Sequence, residues 1–456
     1  MTETQLNKDG EVITGISGYC SVEKRIVCPE NIRQPNPVSL LRISAIFASG
    51  NLLATLLRIS SGLLTSRLVD PSVLGLFEGI GLVRGYAPFF HGGVSNGLNR
   101  ELPYFIGKGD RERAKDLAST AQSWLLLIAI LGVLMLLGVA GWQLVHGQLK
   151  LALAWASFTV PIFGILYGEC YLQVLYRTHE RFKRLSFITV LVAAAGLVAL
   201  VFVWLFGFAG LCIRALLVSM LMLTLLWRWR PLLARPCWKW HDFRFLVATG
   251  VPIFLVGQLS AWWPVLNSTL VLKFSGTRGL GLYVLANMAG LTLALLPKAM
   301  AQVVYPQMSK EYGRTGRIAP LIRMVVAPTL VTVFATLIAL VAGWLLIPPV
   351  VQFILPKYIE GTSAAQWALV ASAVLALNPV NNVFNVVKKQ GRYGASIALG
   401  MLAYGGALLW LIRDGVYLEA FPKAMVFGKV FFLIACYILV ACMVRHEKRA
   451  MRYVVN

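Results

Sequence analysis

Four basic residues lie deep inside long apolar stretches of this chain of 456 residues. A charged side chain that meets hydrocarbon costs about 3 kcal/mol or more, so each of these residues needs water or a partner. Only two acidic residues, Glu78 and Glu169, lie in comparable stretches, so the basic residues outnumber the available carboxylates. Guanidinium and ammonium groups left over in this way are suited to binding phosphate or another anion. The sequence therefore predicts a cationic, substrate-binding cavity whose basic residues are Arg58, Arg84, Lys298 and Lys429.

Polar residues recur at helical spacing beside these cations and predict which helix faces line the cavity. Ser44, Asn51, Thr55, Arg58 and Thr65 are separated by 7, 4, 3 and 7 residues, which places them on one side of a helix. Similar spacing on other helices completes the predicted polar lining, which comprises Asn51, Asn287, Gln302, Asn378 and Asn382. The last two have an alternative role, because amide side chains also hydrogen-bond membrane helices to one another.

The acidic and aromatic residues of these stretches leave several roles open. Glu78 is either the salt-bridge partner of a nearby cation or a site for ion coupling by a proton or sodium. For Glu169 a structural ion pair is favoured, and for His91 a packed, hydrogen-bonded position is favoured over proton coupling. Trp262 and Trp263 have the aromatic faces that stack on sugar rings, but apolar packing is the default expectation for them.

The composition places these residues in a membrane protein. The chain is 58% hydrophobic and 13% charged, with a mean hydropathy of +0.72, which is typical of a polytopic membrane protein. A net charge of +23 would suggest nucleic acid in a soluble protein, but here the basic residues fall mostly in short segments between apolar spans. We therefore expect no nucleic-acid partner. The seven cysteines form no close CxxC pair, so neither a zinc site nor a disulfide framework is indicated. No metal and no cofactor are predicted.

Two further basic residues, Arg42 and Arg214, lie nearer the ends of their apolar stretches. Their long side chains are expected to reach back to the membrane–water interface rather than to bind a substrate. They are therefore left out of the predicted cavity.

Apolar spans of roughly 20 residues recur along the chain and predict an all-α protein with about twelve transmembrane helices. The predicted spans are 40–66, 73–99, 118–145, 149–173, 185–206, 209–228, 245–272, 279–304, 320–347, 363–387, 394–412 and 422–444. The N-terminal tail, the loops after even-numbered helices and the C-terminal tail hold 29 of the 42 Lys and Arg residues, against 7 in the other loops. This asymmetry predicts that both termini are cytoplasmic.

A weak internal repeat divides the spans into two halves. The segment SRLVDPSVLGLFEGIG (66–81) aligns with LKFSGTRGLGLYVLAN (272–287) at an offset of 206 residues. Each segment holds the same place in its own six-helix half, so the halves are predicted to be related as repeats. The predicted organisation is a disordered cytoplasmic tail (1–39), an N-terminal lobe (40–228), a basic cytoplasmic linker (229–244), a C-terminal lobe (245–444) and a basic cytoplasmic tail (445–456).

Two segments carry a resemblance to a known family. GLLTSRLVDPSVLGLFEGIGLVRGYAPFFHGGVSNGLNRELPYFIGKGDRERAKDL (62–117) resembles the start of the Wzx-type oligosaccharide flippases, members of the multidrug/oligosaccharidyl-lipid/polysaccharide exporter superfamily. YRTHERFKRLSF (176–187) resembles their second cytoplasmic loop, and the resemblance extends over residues 40–444. It implies two six-helix lobes around a cationic cavity, and alternating access by movement of one lobe against the other.

The resemblance also implies a substrate and a location. The expected function is to flip an undecaprenyl-pyrophosphate-linked oligosaccharide across the bacterial inner membrane, for the synthesis of O-antigen, capsule or exopolysaccharide. Its expected partners are this lipid-linked oligosaccharide, membrane lipids, a polysaccharide polymerase and a chain-length regulator. A lipid II-type flippase and a multidrug antiporter of the same superfamily are the alternatives among transporters. A membrane-bound glycan polymerase or acyltransferase is the enzyme alternative, but no catalytic motif is found, so a non-enzymatic protein is expected.

Overall fold

The computed structural model describes residues 37–455, except for 316, 379, 380, 388 and 414. The chain divides into two compact units, Met1–Arg42 and Ile43–Asn456. The predicted disordered tail falls mainly on residues 1–36, which lie outside the described residues. Of the first unit the described part is the beginning of helix α1, and the second unit contains everything discussed below.

The N-terminal half consists of helices that form six successive helical passes. Its elements are α1 (Pro37–Leu68), α2 (Pro71–Gly81), α3 (Val83–Tyr86), a 3₁₀ turn (Ala87–His91), α4 (Val94–Gly107), α5 (Arg111–Val145), α6 (Leu149–Ser157), α7 (Thr159–Phe163), a π-helix (Gly164–Leu172), α8 (Gln173–Thr178), α9 (Phe182–Val198), α10 (Leu200–Phe206) and α11 (Phe208–Arg228). Several passes contain short breaks, so one pass can comprise two or more of these elements.

The C-terminal half repeats this layout. It contains α12 (Trp240–Thr315), α13 (Ile318–Ile354), a 3₁₀ turn (Pro356–Gly361), α14 (Thr362–Ala373), a second 3₁₀ turn (Val374–Leu377), α15 (Asn381–Val386), α16 (Gln390–Leu411) and α17 (Ala420–Val455). Helix α12 is two helices joined at Gly276, whose φ of 67° and ψ of −170° suit glycine and interrupt the helical path. Counted on both sides of this break, the described residues of the second half also form six helical passes.

The predicted fold class is confirmed. The described residues contain helices and no strand, and nine segments among them are long and apolar enough to cross a membrane. One of these nine, Trp240–Lys298, runs through the break at Gly276 and so holds parts of two passes. The protein is therefore an all-α, multi-pass membrane protein with two lobes, while the cytoplasmic placement of both termini stays a prediction.

The repeated motifs meet at the boundary between the halves. Gly75 of α2 and Gly281 of α12 are the corresponding glycines of LGLF (74–77) and LGLY (280–283). A Cβ atom at Gly75 would lie 1.7 Å from the carbonyl oxygen of Thr277, and one at Gly281 would lie 1.8 Å from that of Pro71. Since no side chain fits there, these glycines allow the two helix backbones to touch.

A second close contact lies at the other end of the same N-terminal pass. Gly92 and Gly93 have φ values of 57° and 85° and separate the 3₁₀ turn from α4. A Cβ atom at Gly97 would lie 2.2 Å from the carbonyl oxygen of Leu246, and one at Gly250 would lie 2.0 Å from that of Gly93. The α2–α4 pass is therefore held against α12 at two separate points.

Each half has its own apolar core. One cluster of buried side chains is built mainly from the N-terminal half and includes Phe158, Tyr171 and Leu125. The other is built from the C-terminal half and includes Phe384 and Phe421. Two separate cores are the packing expected of two lobes that move as units.

Candidate substrate cavity

The main cavity lies between the α2–α3 segment and the C-terminal half. It has a volume of about 800 Å³, which falls within the range of about 300–1,000 Å³ typical of ligand pockets. The N-terminal half contributes the stretch from Glu78 to Gly85, and α12, α13, α14, α16 and α17 supply the other walls. The charged residues that line it are Glu78, Arg84, Lys298 and Lys429.

Glu78 and Arg84 form an ion pair on the N-terminal wall. The Nη2 atom of Arg84 lies 3.1 Å from Oε2 of Glu78, and both side chains are partly exposed. Arg84 also donates from Nε to the carbonyl oxygen of Gly81 at 3.2 Å, and its guanidinium lies 5.1 Å from the ring centroid of Phe158. Of the two roles left open for Glu78, this structure shows the salt bridge, and ion coupling stays a prediction.

The two lysines carry the uncompensated charge of the cavity. Lys298 lies on α12 and is exposed, whereas Lys429 lies on α17 and is half-buried. Neither lysine forms a hydrogen bond or an ion pair with the described part of the chain, while Arg84 is neutralised by Glu78. The cavity therefore presents two free ammonium groups within mostly apolar walls, an arrangement suited to an anionic group on an otherwise apolar or neutral ligand.

Two glycines allow close packing of α17, the helix that carries Lys429, against α16. We call the space between these glycines the glycine slot. Gly400 of α16 and Gly428 of α17 face each other, and a Cβ atom at Gly428 would lie 2.8 Å from the carbonyl oxygen of Gly400. The ring of Trp263 enters the same slot, since its Cζ2 atom would lie 2.8 Å from a Cβ at Gly428. Trp263 is buried and serves as packing here, and Lys429 follows the slot by one residue.

A buried hydrogen-bond network lies one helical turn beyond the slot. Asn267 donates from Nδ2 to the hydroxyl of Tyr283 at 2.8 Å, and Tyr404 donates to Oδ1 of Asn267 at 2.9 Å. The network joins both arms of α12 to α16. Sequence reasoning missed it, although Trp263 and Asn267, four residues apart on one face, carry the signal.

The predicted polar lining is only partly brought together. Asn287 and Asn378 line the cavity, and Asn287 donates to Oγ of Ser268 at 3.5 Å. The side chains of Gln302 and Asn382 lie outside the described residues. Asn51 and Arg58 line a different, smaller pocket in the N-terminal half, together with Glu169. The structure thus places three of the four predicted cations in one cavity and the fourth elsewhere.

Arg214, which was expected to reach back to the interface, connects three helices. Its Nε donates to the carbonyl oxygen of Gly196 at 3.0 Å, Nη1 to Oγ1 of Thr65 at 2.9 Å, and Nη2 to Oγ of Ser61 at 2.7 Å. The guanidinium thus joins α11 to α1 and α9. Its position relative to the membrane–water interface stays a prediction. The side chain of Arg42 lies outside the described residues.

Ion pairs connect the halves outside the main cavity. Arg113 of α5 pairs with the buried carboxylate of Asp242 at 2.5 Å, and Lys239 pairs with Asp116 at 2.6 Å. The hydrogen bond from Lys239 to Asp116 raises the pKa of that lysine above its usual value. These contacts bind the start of α12 to α5.

A second set of contacts lies near the turn between α1 and α2. Lys357 pairs with Asp70 at 2.7 Å, and Tyr358 donates its hydroxyl proton to the carbonyl oxygen of Val69 at 3.0 Å. Lys357 and Tyr358 belong to the 3₁₀ turn of the C-terminal half, so this set also joins the two halves. Together with the ion pairs between α5 and the start of α12, these contacts connect the two halves at two separate places.

The family follows from a comparison of the chain with protein-family models. The model of a family described as polysaccharide biosynthesis protein matches residues 110–357, a little over half of the chain. The chain belongs to this polysaccharide biosynthesis family. No curated protein matches it.

Solved structures that are similar to this family member show the same fold. An inward-facing multidrug resistance MATE transporter of the MOP superfamily has a TM-score of 0.67 at 14% identity, covering 89% of this chain and 99% of that one. An outward-facing MATE transporter of that superfamily has a TM-score of 0.62 at 15% identity, covering 89% and 95%. A MOP superfamily transporter from Pyrococcus furiosus, whose binding pocket is described as having reverse polarity, has a TM-score of 0.61 at 15% identity, covering 90% and 96%.

The chain thus belongs to a polysaccharide biosynthesis family and has the fold of MATE transporters of the MOP superfamily. This is the fold of the superfamily that the sequence resembles. The solved structures that share the fold are those of transporters.

Proposed function

We propose that this protein flips an undecaprenyl-pyrophosphate-linked oligosaccharide across the bacterial inner membrane for polysaccharide synthesis. The observation that carries this proposal is the pair of uncompensated lysines, Lys298 and Lys429, in a large and mostly apolar cavity. A pyrophosphate needs opposite charge, whereas the sugars and the prenyl chain of the same molecule do not. The membership of a polysaccharide biosynthesis family supports this cargo.

The cargo would move by alternating access. The two sets of ion pairs, Arg113–Asp242 with Lys239–Asp116 and Asp70–Lys357, would break in turn as one lobe rocks against the other. Glu78 remains the proposed ion-coupling residue of the cavity, since a proton or cation that binds it would release Arg84. A polysaccharide polymerase and a chain-length regulator are the proposed protein partners.

The alternatives differ in the charge of the cargo. A multidrug antiporter for cationic drugs would need an acidic cavity. The four charged residues that line this cavity have a positive net charge. A lipid II-type flippase also carries a pyrophosphate, so it stays the second candidate function. A glycan polymerase or acyltransferase is disfavoured, because the solved structures that share this fold are transporters.

The test is complementation in a host that lacks its flippase and still makes a lipid-linked repeat unit. Wild-type protein should restore surface polysaccharide and reduce the accumulated lipid-linked intermediate. A host depleted of its lipid II flippase serves as the parallel arm. Rescue of that host alone would favour the second candidate, and rescue of neither, with the protein present in the membrane, would contradict the flippase proposal.

A further inference from the structure

The smaller pocket of the N-terminal half has charged walls and an unassigned ligand. It has a volume of about 240 Å³ and lies among α1, the π-helix with α8, α9 and α11. The charged residues that line it are Arg58, Glu169 and Arg177. Asn51, Gln173 and Thr189 add polar groups, so the pocket can both donate and accept hydrogen bonds.

Its charged face is produced by an unusual helix. Glu169 lies in the nine-residue π-helix Gly164–Leu172, and Gln173 and Arg177 follow at intervals of four residues. Arg177 donates from Nη2 to Oε1 of Gln173 at 3.1 Å. π-Helical turns are rare and are often found at functional sites, because they change the direction in which side chains project.

The opposite charges in this pocket do not form a direct ion pair. Within the described part of the chain, neither Glu169 nor Arg58 forms a hydrogen bond or an ion pair. Sequence reasoning favoured a structural ion pair for Glu169, and this structure does not show one. Since unpaired charges inside a membrane protein are costly, the space between Glu169 and Arg58 is suited to a group that satisfies both signs.

The size and the walls of the pocket narrow the class of ligand. It is smaller than the usual ligand pocket of about 300–1,000 Å³, so it fits a compact group rather than an oligosaccharide. The two guanidinium groups match a phosphate, and the carboxylate matches an ammonium group. The remaining walls are apolar and suit the first carbons of a lipid, and they comprise Leu185, Ile188, Val192, Met222 and Leu226.

We propose that this pocket binds the headgroup of a membrane phospholipid that carries both a phosphate and a primary ammonium group, as phosphatidylethanolamine does. The phosphate lies between Arg58 and Arg177, and the ammonium group donates to Glu169. The pocket is separate from the main cavity, so the lipid site does not depend on the identity of the transported cargo.

The experiment measures lipid binding by the full-length, delipidated protein. Native mass spectrometry would compare phosphatidylethanolamine with phosphatidylglycerol, which keeps the phosphate and lacks the ammonium group. Wild-type protein should prefer phosphatidylethanolamine. Glu169→Gln should lower its affinity about tenfold, the effect of one charge-assisted contact, and abolish the preference. Glu360→Gln, which alters an exposed carboxylate on the other half, is the matched control and should change nothing.

Three results would overturn the lipid site. One is equal binding of the two lipids by wild type. Another is a preference for phosphatidylethanolamine that survives in Glu169→Gln, or unchanged affinity for both lipids in Arg58→Leu. The third is displacement of the lipid by soluble phosphoethanolamine at equal concentration, which would show that a free headgroup rather than a membrane lipid is read. None of these measurements requires export, so failure of the flippase proposal would be seen separately.

Discussion

At the scale of single residues, the unpaired charge of the main cavity belongs to Lys298 and Lys429. Arg84 has the same charge, but it is paired with Glu78, 3.1 Å away. No carboxylate among the described residues pairs with either lysine. The unpaired positive charge that lines this cavity therefore comes from the C-terminal half.

Substitutions of Lys429 should distinguish the effect of its charge on export from the effect of its packing. Lys429→Gln should lower export about tenfold or more, because it removes a charge-assisted contact worth about 1.5–3 kcal/mol, while Lys429→Arg should keep most of it. Export would be measured as surface polysaccharide relative to the amount of protein in the membrane. Lys150→Gln, at an exposed position away from the cavity, is the control. Equal export by Lys429→Gln and wild type would remove this lysine from the binding site.

From the sequence, the charged residues of the cavity could be predicted more readily than the residues with which they form contacts. The apolar surroundings of Arg84, Lys298 and Lys429 were enough to predict a shared cavity, which the structure also shows. Arg58 was grouped with them, but helical spacing defines a face of α1 and not the neighbours of that face. The bonds of Arg214 to Ser61 and Thr65 depend on the packing of α11 against α1, which no local pattern reveals.

At the scale of helices, glycine contacts determine where the cavity walls stand. Gly400 and Gly428 allow α16 and α17 to cross in backbone contact, and Trp263 of α12 fills the space beside them. Small residues at a crossing are the usual means by which membrane helices approach this closely. The position of Lys429 is therefore determined by the packing of uncharged residues, Gly400, Gly428 and Trp263.

Adding one methyl group to this slot should disturb it. Gly428→Ala places a Cβ 2.7–2.8 Å from Tyr404, Gly400 and Trp263, and overpacking of this kind costs about 1–3 kcal/mol. The expected result is a lower midpoint of thermal unfolding and weaker export. Gly405→Ala, on α16 with no atom within 4 Å of its Cβ, should leave both unchanged. Equal unfolding midpoints for the two variants would contradict the proposed slot.

A carboxylate at the start of α17 predicts a pH dependence of stability. Glu419 accepts from Lys423 at 2.6 Å and from the hydroxyl of Ser363, and these bonds lower its pKa below the usual 4.5. A lowered pKa in the folded state contributes stability above the ordinary pKa and loses it as the pH falls through the folded value.

This contribution can be measured by comparing wild type with Glu419→Gln. Wild type should unfold at a higher temperature at neutral pH, and the difference should shrink as the pH falls below about 4.5. A difference that stays constant into the acid range would show that the ionised carboxylate is not its source. Glu360→Gln, at an exposed ion pair, provides the comparison for a weak surface contact.

The helices themselves could largely be predicted from the sequence. Within the described residues, the predicted apolar spans fall mainly on helices, because a membrane requires about 20 apolar residues with an internally bonded backbone. The breaks could not be predicted in the same way. The π-helix at Gly164–Leu172 and the left-handed glycines Gly92 and Gly93 depend on contacts with other helices rather than on a local composition signal.

At the scale of the whole molecule, the two halves touch through pairs of contacts at separate places. Gly75 with Gly281 and Lys357 with Asp70 hold one part of the boundary. Arg113 with Asp242 holds another. If one lobe moves against the other during transport, these two sets cannot both remain formed throughout the cycle.

Cross-linking one set should therefore stop transport. The double variant Asp70→Cys/Lys357→Cys replaces a pair whose charged atoms lie 2.7 Å apart, and a short thiol-reactive cross-linker should join the two cysteines. Export should fall with the extent of cross-linking and return when a reducible linker is cleaved. Each single variant treated with the reagent is the control. Full export by the cross-linked protein would mean that the lobes do not separate at this place.

The division of the molecule into two lobes could be predicted from the internal repeat in the sequence. The offset of 206 residues aligned LGLF with LGLY and so predicted two lobes, which the structure confirms. The direct contact between these motifs was not predicted, because a repeat indicates equivalent places and not adjacent ones. Likewise, the ion pairs that join the halves connect residues more than 100 positions apart, such as Arg113 and Asp242.

The most direct test of the central claim is the binding of undecaprenyl pyrophosphate to the purified full-length protein. Wild type should bind it more tightly than undecaprenol, which has the same prenyl chain without the charge. The double variant Lys298→Gln/Lys429→Gln should lose about 100-fold or more in affinity for the pyrophosphate and little for the alcohol. Equal affinity of wild type and the double variant for the pyrophosphate would contradict the account, since the cavity lysines would then not be what binds the anion.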